Sequence, residues 1–186
     1  MDSNILTDYY GRLLESNYFI PVGSREGFNA AGQCWKLSPE VGEGFYWVYA
    51  QKDLYDIKIH DFLFHEDFFI DFDLPECLSI TQYESISGEE LNPYRRLSAG
   101  CIKAFIGGYK PYKALIHKRI PIRSIGIEVM PAYYESYLKK QYPGLYTNPL
   151  AAFKKIDQTT DFPAMAKLLY EVKNYQGSGI AASLFY

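Results

Sequence analysis

Tyr55-Asp56-Ile57-Lys58-Ile59-His60-Asp61-Phe62-Leu63-Phe64 is the stretch on which the fold turns. In an extended chain successive side chains point to opposite faces, so Ile57 and Ile59 share one face and Lys58 and His60 the other, until the run becomes apolar on both faces from Phe62 onward. That pattern predicts a strand that passes from half-buried to buried. Shorter segments of the same type flank it at 33–37, 45–49, 77–86, 99–106, 113–117 and 122–130, with Gly or Pro between most of them. Five to seven short strands at this spacing predict an antiparallel sheet curled into a sandwich, barrel or jelly roll.

After Met130 the period changes from 2 to 3.6. Pro131 suits a first helical turn, Tyr134, Tyr137, Leu138 and Gln141 share a stripe, and Pro143-Gly144 stops the run. Asn148-Pro149 reads as a cap and first residue of a second helix carrying Leu150, Phe153 and Ile156. Thr160 or Asp161 then caps a third, with Phe162, Met165, Leu168, Leu169 and Val172 spaced at three and four. Residues 180–186 open a fourth helix that the end of the sequence cuts off, which predicts that the polypeptide continues. The expected organisation is mainly β with C-terminal helices: residues 1–130 as a sheet domain with an N-terminal arm, and residues 131–186 as a helical segment.

The 186 residues are 48% apolar and 22% charged, and 18 Tyr, 12 Phe and 2 Trp supply rings for a sizeable core, which excludes wholesale disorder. The longest apolar run, Phe45 to Ala50, is far short of a membrane span. The first residues lack the basic and apolar regions of a secretory signal, so a cytoplasmic location is expected. Cys34, Cys77 and Cys101 are an odd set without a C-x-x-C pair, which argues against a disulfide framework and a zinc knuckle. Charge is divided: residues 1–90 carry 5 Lys+Arg against 17 Asp+Glu and residues 91–186 carry 14 against 5, so the halves stand at −12 and +9. Two such segments attract each other, and a net charge of −3 leaves no global field for collecting nucleic-acid phosphates.

Enzymatic chemistry finds little to stand on. His60 and His65 are an odd number of residues apart, so on one continuous strand they point to opposite faces and do not converge on a metal. His117 stands alone. There is no G-x-S-x-G elbow, no cysteine in an activating context and no phosphate loop around Gly42, Gly107-Gly108 or Gly177. The carboxylate pairs Glu66-Asp67, Asp71/Asp73 and Glu89-Glu90 lack a partner that the sequence can place. Neither a catalytic residue nor a metal or cofactor is therefore assigned, and the chain is read as a non-enzyme. What stands out is the aromatic content of the strands, which is either the core itself or the lining of a small-molecule cavity.

For such a cavity Trp47, Phe62 and Tyr83 are the candidate ring contacts, and His60 and Glu128 the candidate polar ones. His60 shares its phase with Phe62 and Phe64. Glu128 interrupts an otherwise apolar strand, where an unpaired buried carboxylate is costly. The alternatives are that His60 faces solvent beside Lys58 and that Glu128 pairs with a surface Lys or Arg. The stripe Phe162, Met165, Leu168, Leu169 and Val172 is the candidate for a two-fold interface, the alternative being a helix that packs on its own sheet alone.

Taken together, Trp35-Lys36-Leu37-Ser38-Pro39-Glu40-Val41-Gly42-Glu43-Gly44, and Arg123-Ser124-Ile125-Gly126-Ile127-Glu128-Val129 leading into Pro131-Ala132-Tyr133-Tyr134, resemble the N-terminal regulatory half of AraC-type bacterial transcription regulators. The segments Tyr83 to Leu91 and Arg95 to Cys101 are similar to clostridial members in particular. The likeness spans roughly residues 33 to 186 and rests on the order of elements. It implies a cupin-like jelly-roll domain that binds a small-molecule effector, a helical dimerisation segment making a homodimer, and DNA binding only through a C-terminal helix-turn-helix domain that this chain lacks. It implies no membrane partner. The family has no universal effector residues, so none is carried over. A small cupin-type enzyme is the alternative.

Overall fold

The structure, a computed structural model, describes residues 5–144 and 163–186, with side chains from residue 9 onward in the first helix. It is mainly antiparallel β, in two sheets, with a few short helices. Helix α1 (Ile5–Ser16) precedes eleven strands: β1 (Phe19–Val22), β2 (Gln33–Leu37), β3 (Gly42–Gln51), β4 (Tyr55–Phe64), β5 (Phe68–Phe72), β6 (Leu78–Ser85), β7 (Ser87–Leu91), β8 (Tyr94–Ser98), β9 (Ile102–Ile106), β10 (Tyr112–Ile116) and β11 (Ile122–Val129). The larger sheet has the order β1-β2-β3-β4-β11-β6-β9 and the smaller β5-β10-β7-β8.

From β4 onward the pairing is nested: β7 pairs with β8, β6 with β9, β5 with β10 and β4 with β11, all antiparallel. Contacts β11–β6 and β10–β7 complete the sheets. The inner face of the larger sheet meets the smaller sheet and α1 in one hydrophobic cluster that includes Tyr10, Leu14, Phe62, Phe64, Leu97 and Ile116. Its outer face carries a second cluster, in which Trp47, Ile57, Ile59 and Ile125 pack against Leu169 and Val172 of the helix Pro163–Lys173. The larger sheet is thus covered on both sides. Where β3 crosses β4, Gly44 sits at a φ of 111°, a left-handed conformation that disfavours a Cβ, and a Cβ there would strike the backbone of Asp61 and Phe62.

The expected change to helix after Met130 is present as a π-helical turn, Ala132–Leu138, that runs into Lys139–Gln141. The helices Pro163–Lys173 and Ile180–Phe185 also occur where the spacing predicts them. The second expected helix, at 148–157, lies outside the described residues. Three features were not foreseen. The N-terminal arm contains helix α1 and the edge strand β1, β5 is an additional strand, and β7 and β8 form a hairpin. The hairpin escapes the usual pattern because its inward positions are not uniformly apolar: Gly88 and Glu90 face in from β7, Arg95 and Leu97 from β8, and Glu90 lies directly opposite Arg95.

Candidate functional site

Between the two sheets lies a cavity of ≈ 150 Å³ whose wall is largely aromatic and aliphatic. The larger sheet supplies Phe19, Tyr46, Phe62 and Tyr83, the smaller supplies Phe68, Ile70, Phe72 and Tyr112, and α1 closes one side with Tyr10, Leu13 and Leu14. The polar groups in the wall come mainly from neighbouring strands at matched register. One row across β4, β11 and β6 is Asp56, Glu128 and Ser79, the next is Lys58, Gly126 and Thr81, and the third is His60, Ser124 and Tyr83; Asp56, Gly126 and Ser124 belong to these rows without lining the cavity themselves.

The first two rows form a buried charge cluster. Lys58 Nζ is ion-paired with Glu128 Oε1, and the Tyr10 hydroxyl is bonded to Glu128 Oε2 and lies 3.0 Å from Asp56 Oδ2. Asp56 and Glu128 are 0% and 1% exposed, so neither carboxylate is screened by water. Burial, and after it the charge of Glu128, push the Asp56 carboxyl well above the usual range, with Lys58 opposing. A protonated Asp56 donates to the Tyr10 oxygen while Tyr10 donates its single proton to Glu128, which leaves Lys58 and Glu128 as one neutralised pair. Burial alone would lower the Lys58 ammonium, but the charges of Glu128 and Asp56 outweigh it and hold the group protonated. The Tyr10 phenol is raised well above its ordinary value, first by burial and then by Asp56 and Glu128. Asp56 Oδ1 has no hydrogen-bond partner.

His60 occupies the third row. Its Nδ1 is 2.8 Å from Ser124 Oγ, its ring lies 4.5 Å from that of Tyr46, and its Nε2 has no partner. Burial, with Lys58 adding repulsion, lowers its pKa to about 3, so the imidazole is neutral. Across the cavity the Glu90 carboxylate receives Arg95 Nε at 2.6 Å and the Tyr112 hydroxyl at 3.4 Å. Burial raises Glu90, and Arg95 and Lys103 oppose the rise.

Four of the five expected ligand contacts are brought together: His60, Phe62, Tyr83 and Glu128 all line the cavity. Trp47 does not. It projects from the other face of β3, fully buried, with Nε1 donating to the Asn29 carbonyl at 2.7 Å and its ring 5.7 Å from Tyr186. The reason is phase. Trp47 stands opposite Ile59 in the β3–β4 pairing, whereas Tyr46 stands opposite His60. Of the expected interface stripe, Leu169 and Val172 are buried in the chain's own outer cluster, Met165 packs beside them, and Leu168 is 49% exposed. Phe162 lies outside the described residues.

Sequence reasoning missed Tyr10, Tyr46, Asp56, Lys58, Glu90, Lys103 and Tyr112 as cavity or cluster residues. Lys58 shares the face of His60, and it is buried and is the partner that Glu128 lacked. Continuing the even-numbered phase of β4 back from Phe62 through His60 and Lys58 to Asp56 was the available signal. His65 is exposed just after β4, and His117 pairs with Ser87 Oγ at 2.8 Å and Glu89 at 3.2 Å. Among the described residues no helix is long and apolar enough to cross a membrane. The chain matches no protein-family model and no curated protein sequence.

Proposed function

We propose that this chain is the ligand-sensing regulatory domain of an AraC-type transcription regulator, binding a small-molecule effector between its two sheets and controlling a helix-turn-helix domain not present in the chain. The observation that carries the reading is the cavity of ≈ 150 Å³ between the sheets, lined by rings and crossed by rows of polar groups, which is the form that small-molecule sites take. The nested order of β4 to β11 supports a cupin-like jelly roll, since a jelly roll is a long eight-stranded hairpin rolled into two four-stranded sheets. The exposed side chains of Leu168 and Tyr170 support a homodimer through the outer side of the helix Pro163–Lys173, while Leu169 holds its inner side. Effector binding controls the output only if the effector binds one of two arrangements of these helices more tightly. A cytoplasmic site of action follows from the same reading.

The test is a thermal-shift screen of metabolites on the wild-type chain and on His60→Gln and Tyr83→Phe. A hit that stabilises the wild type and loses its effect in these variants supports the reading. One that stabilises all three equally places the binding site elsewhere. Continuation of the reading frame past Tyr186 into a basic helix-turn-helix pattern supports the regulatory role, and a stop there removes its DNA-binding output.

The buried Asp56–Tyr10–Glu128–Lys58 cluster favours a second reading, a small cupin-type enzyme, because shifted protonation beside a cavity is also what acid–base chemistry uses. Turnover of a bound compound, followed by chromatography, separates the two.

A further inference from the structure

The second row of the cavity wall continues onto a fourth strand, β9. Thr81 on β6 stands opposite Lys103 on β9, so that Lys58, Gly126, Thr81 and Lys103 form one line across four strands. Lys58, Thr81 and Lys103 all line the cavity. At a strand spacing of roughly 4.8 Å the two lysine backbones are about 14 Å apart along the sheet, and the side chains reach into the space between. Gly126 leaves that space free of a side chain of its own, and the Thr81 hydroxyl leans across it, 2.7 Å from where a Cβ on Gly126 would stand.

The hydrogen-bonding capacity around this line is uneven. The two carboxylates that line the cavity are engaged: Glu128 holds Lys58 and Tyr10, and Glu90 holds Arg95 and Tyr112. Donors are not. Among the described residues Lys103 makes no ion pair, and the hydroxyls of Thr81, Ser79 and Tyr46 make no hydrogen bond. Hydroxyls both donate and accept, but an ammonium only donates. A half-buried ammonium bordering an apolar cavity, whose nearby carboxylate Glu90 is already paired with Arg95, is costly until a further anion arrives. The unfilled demand is therefore for one acceptor-rich, singly negative group. The remaining wall, with Phe62, Phe68, Phe72 and Tyr83, asks for an apolar body, and a cavity of ~150 Å³ is the size that admits a benzene ring.

We propose, building on the effector-site reading above, that the ligand is a small monocarboxylate with an aromatic or short aliphatic body, its carboxylate received by the Lys103 ammonium and the Thr81 hydroxyl and its body lying between the rings of the two sheets. Lys103 sets the charge of the ligand and the rings set its size. The neutralised Lys58–Glu128 pair forms the floor of the site.

Calorimetric titration with benzoate, phenylacetate and hexanoate, set against benzyl alcohol and hexanol as uncharged counterparts, tests this on the wild-type chain, Lys103→Met and Lys103→Arg. The carboxylates are expected to bind the wild type at least about tenfold more tightly than the alcohols, to lose that margin in Lys103→Met and to keep most of it in Lys103→Arg, as for a charge-assisted bond. Thermal unfolding of each variant without ligand checks that it is folded, and Lys103→Arg serves as the folded, charged reference if Lys103→Met is not. Alcohols that bind as tightly as carboxylates, or a Lys103→Met variant with unchanged carboxylate affinity, would overturn the ligand class while leaving the cavity as an effector site. Binding of neither kind, together with metabolite hits indifferent to His60→Gln and Tyr83→Phe, overturns both.

Discussion

The two faces of the seven-stranded sheet are packed by opposite means. On the outer face Trp47, Ile57, Ile59 and Ile125 meet Leu169 and Val172 in apolar contact, with hydrogen bonds such as those from the Trp47 indole to Asn29 and from the Tyr55 hydroxyl to Tyr186. On the inner face the same strands present Asp56, Lys58, Ser124 and Glu128, all buried, and His60, half-buried, held by one another and by Tyr10. Burial is common to both, so burial does not distinguish them. The outer face gains stability simply by leaving water, at about 25 cal/mol per Å² of apolar area. The inner face must first recover the cost of desolvating its charges, and a buried pair often recovers no more than an apolar pair of the same size would give. The first face holds the fold, and the second has properties that the fold alone does not require.

Substitutions on each face sharpen this contrast. Trp47→Ala is expected to cost ~3–5 kcal/mol of unfolding free energy, read by urea denaturation, while the folded fraction keeps the ligand affinity of the wild type. Loss of ligand affinity with little loss of stability would return Trp47 to the cavity and break the comparison. Lys58→Met should cost a similar ~3–5 kcal/mol because it leaves Glu128 buried without a counter-charge, yet Lys58→Met combined with Glu128→Leu should recover most of that loss. A double variant as unstable as the sum of the singles would mean that the pair is not coupled.

Acid separates the faces by another route. His60 is held neutral, with its pKa lowered to about 3, whereas in the unfolded chain it takes up a proton near its ordinary 6.5. A group with a depressed folded pKa gives stability that is present above the unfolded value and lost as pH falls through the window toward about 3. The wild type should therefore lose up to about 1.4 kcal/mol per pH unit from this group below pH 6.5, and His60→Gln should flatten that slope in a pH series of thermal melts. Asp56 acts with the opposite sign: its raised pKa favours the folded state in acid and penalises it as pH rises, so Asp56→Asn should stabilise the protein in neutral buffer and not in acid. The smallest effect is expected at the surface. Leu168→Ser should stay within ~0.5 kcal/mol of the wild type under monomer conditions, whereas Leu169→Ala, one residue away and fully buried, should cost ~2–5 kcal/mol.

Much of the sheet was legible because its signal is local. Alternation along residues 55–64 and the change of period at Pro131 mark β4 and the start of the helical region without knowledge of partners. The nomination of His60, Phe62, Tyr83 and Glu128 rested on phase and on the cost of a buried carboxylate, and the structure brings these four to one cavity. What failed needed information that no single strand carries. Both faces of β4 are covered, so the apolar side of Ile57 and Ile59 could not be told from the cavity side, and Lys58 was not recognised as the partner of Glu128. Trp47 was misplaced for the same reason: which face of β3 looks inward is fixed by its register with β4. Tyr10 belongs to the cluster through a contact 118 residues away in sequence, which no periodicity reveals. The β7–β8 hairpin was invisible because an ion pair, Glu90 with Arg95, stands where apolar residues were sought.

The nested pairing of β4 to β11 also sets a timetable. Pairing β7 with β8 closes the shortest loop, from Leu91 to Tyr94, while pairing β4 with β11 joins Tyr55 to Val129 and closes the longest. Loop-closure entropy grows with the length enclosed, so the chain is expected to zip outward from the tip, with the β3–β4 hairpin forming separately and the β4–β11 seam joining the two last. Asp56, Lys58 and Glu128 lie along that seam. Their interactions are then expected to be absent from the folding transition state, in which case changing them alters the rate of unfolding while leaving the rate of folding nearly constant. On that order of events the charged wall of the cavity would act as a kinetic clasp, closed on the last step of folding and the first to resist the chain's reopening.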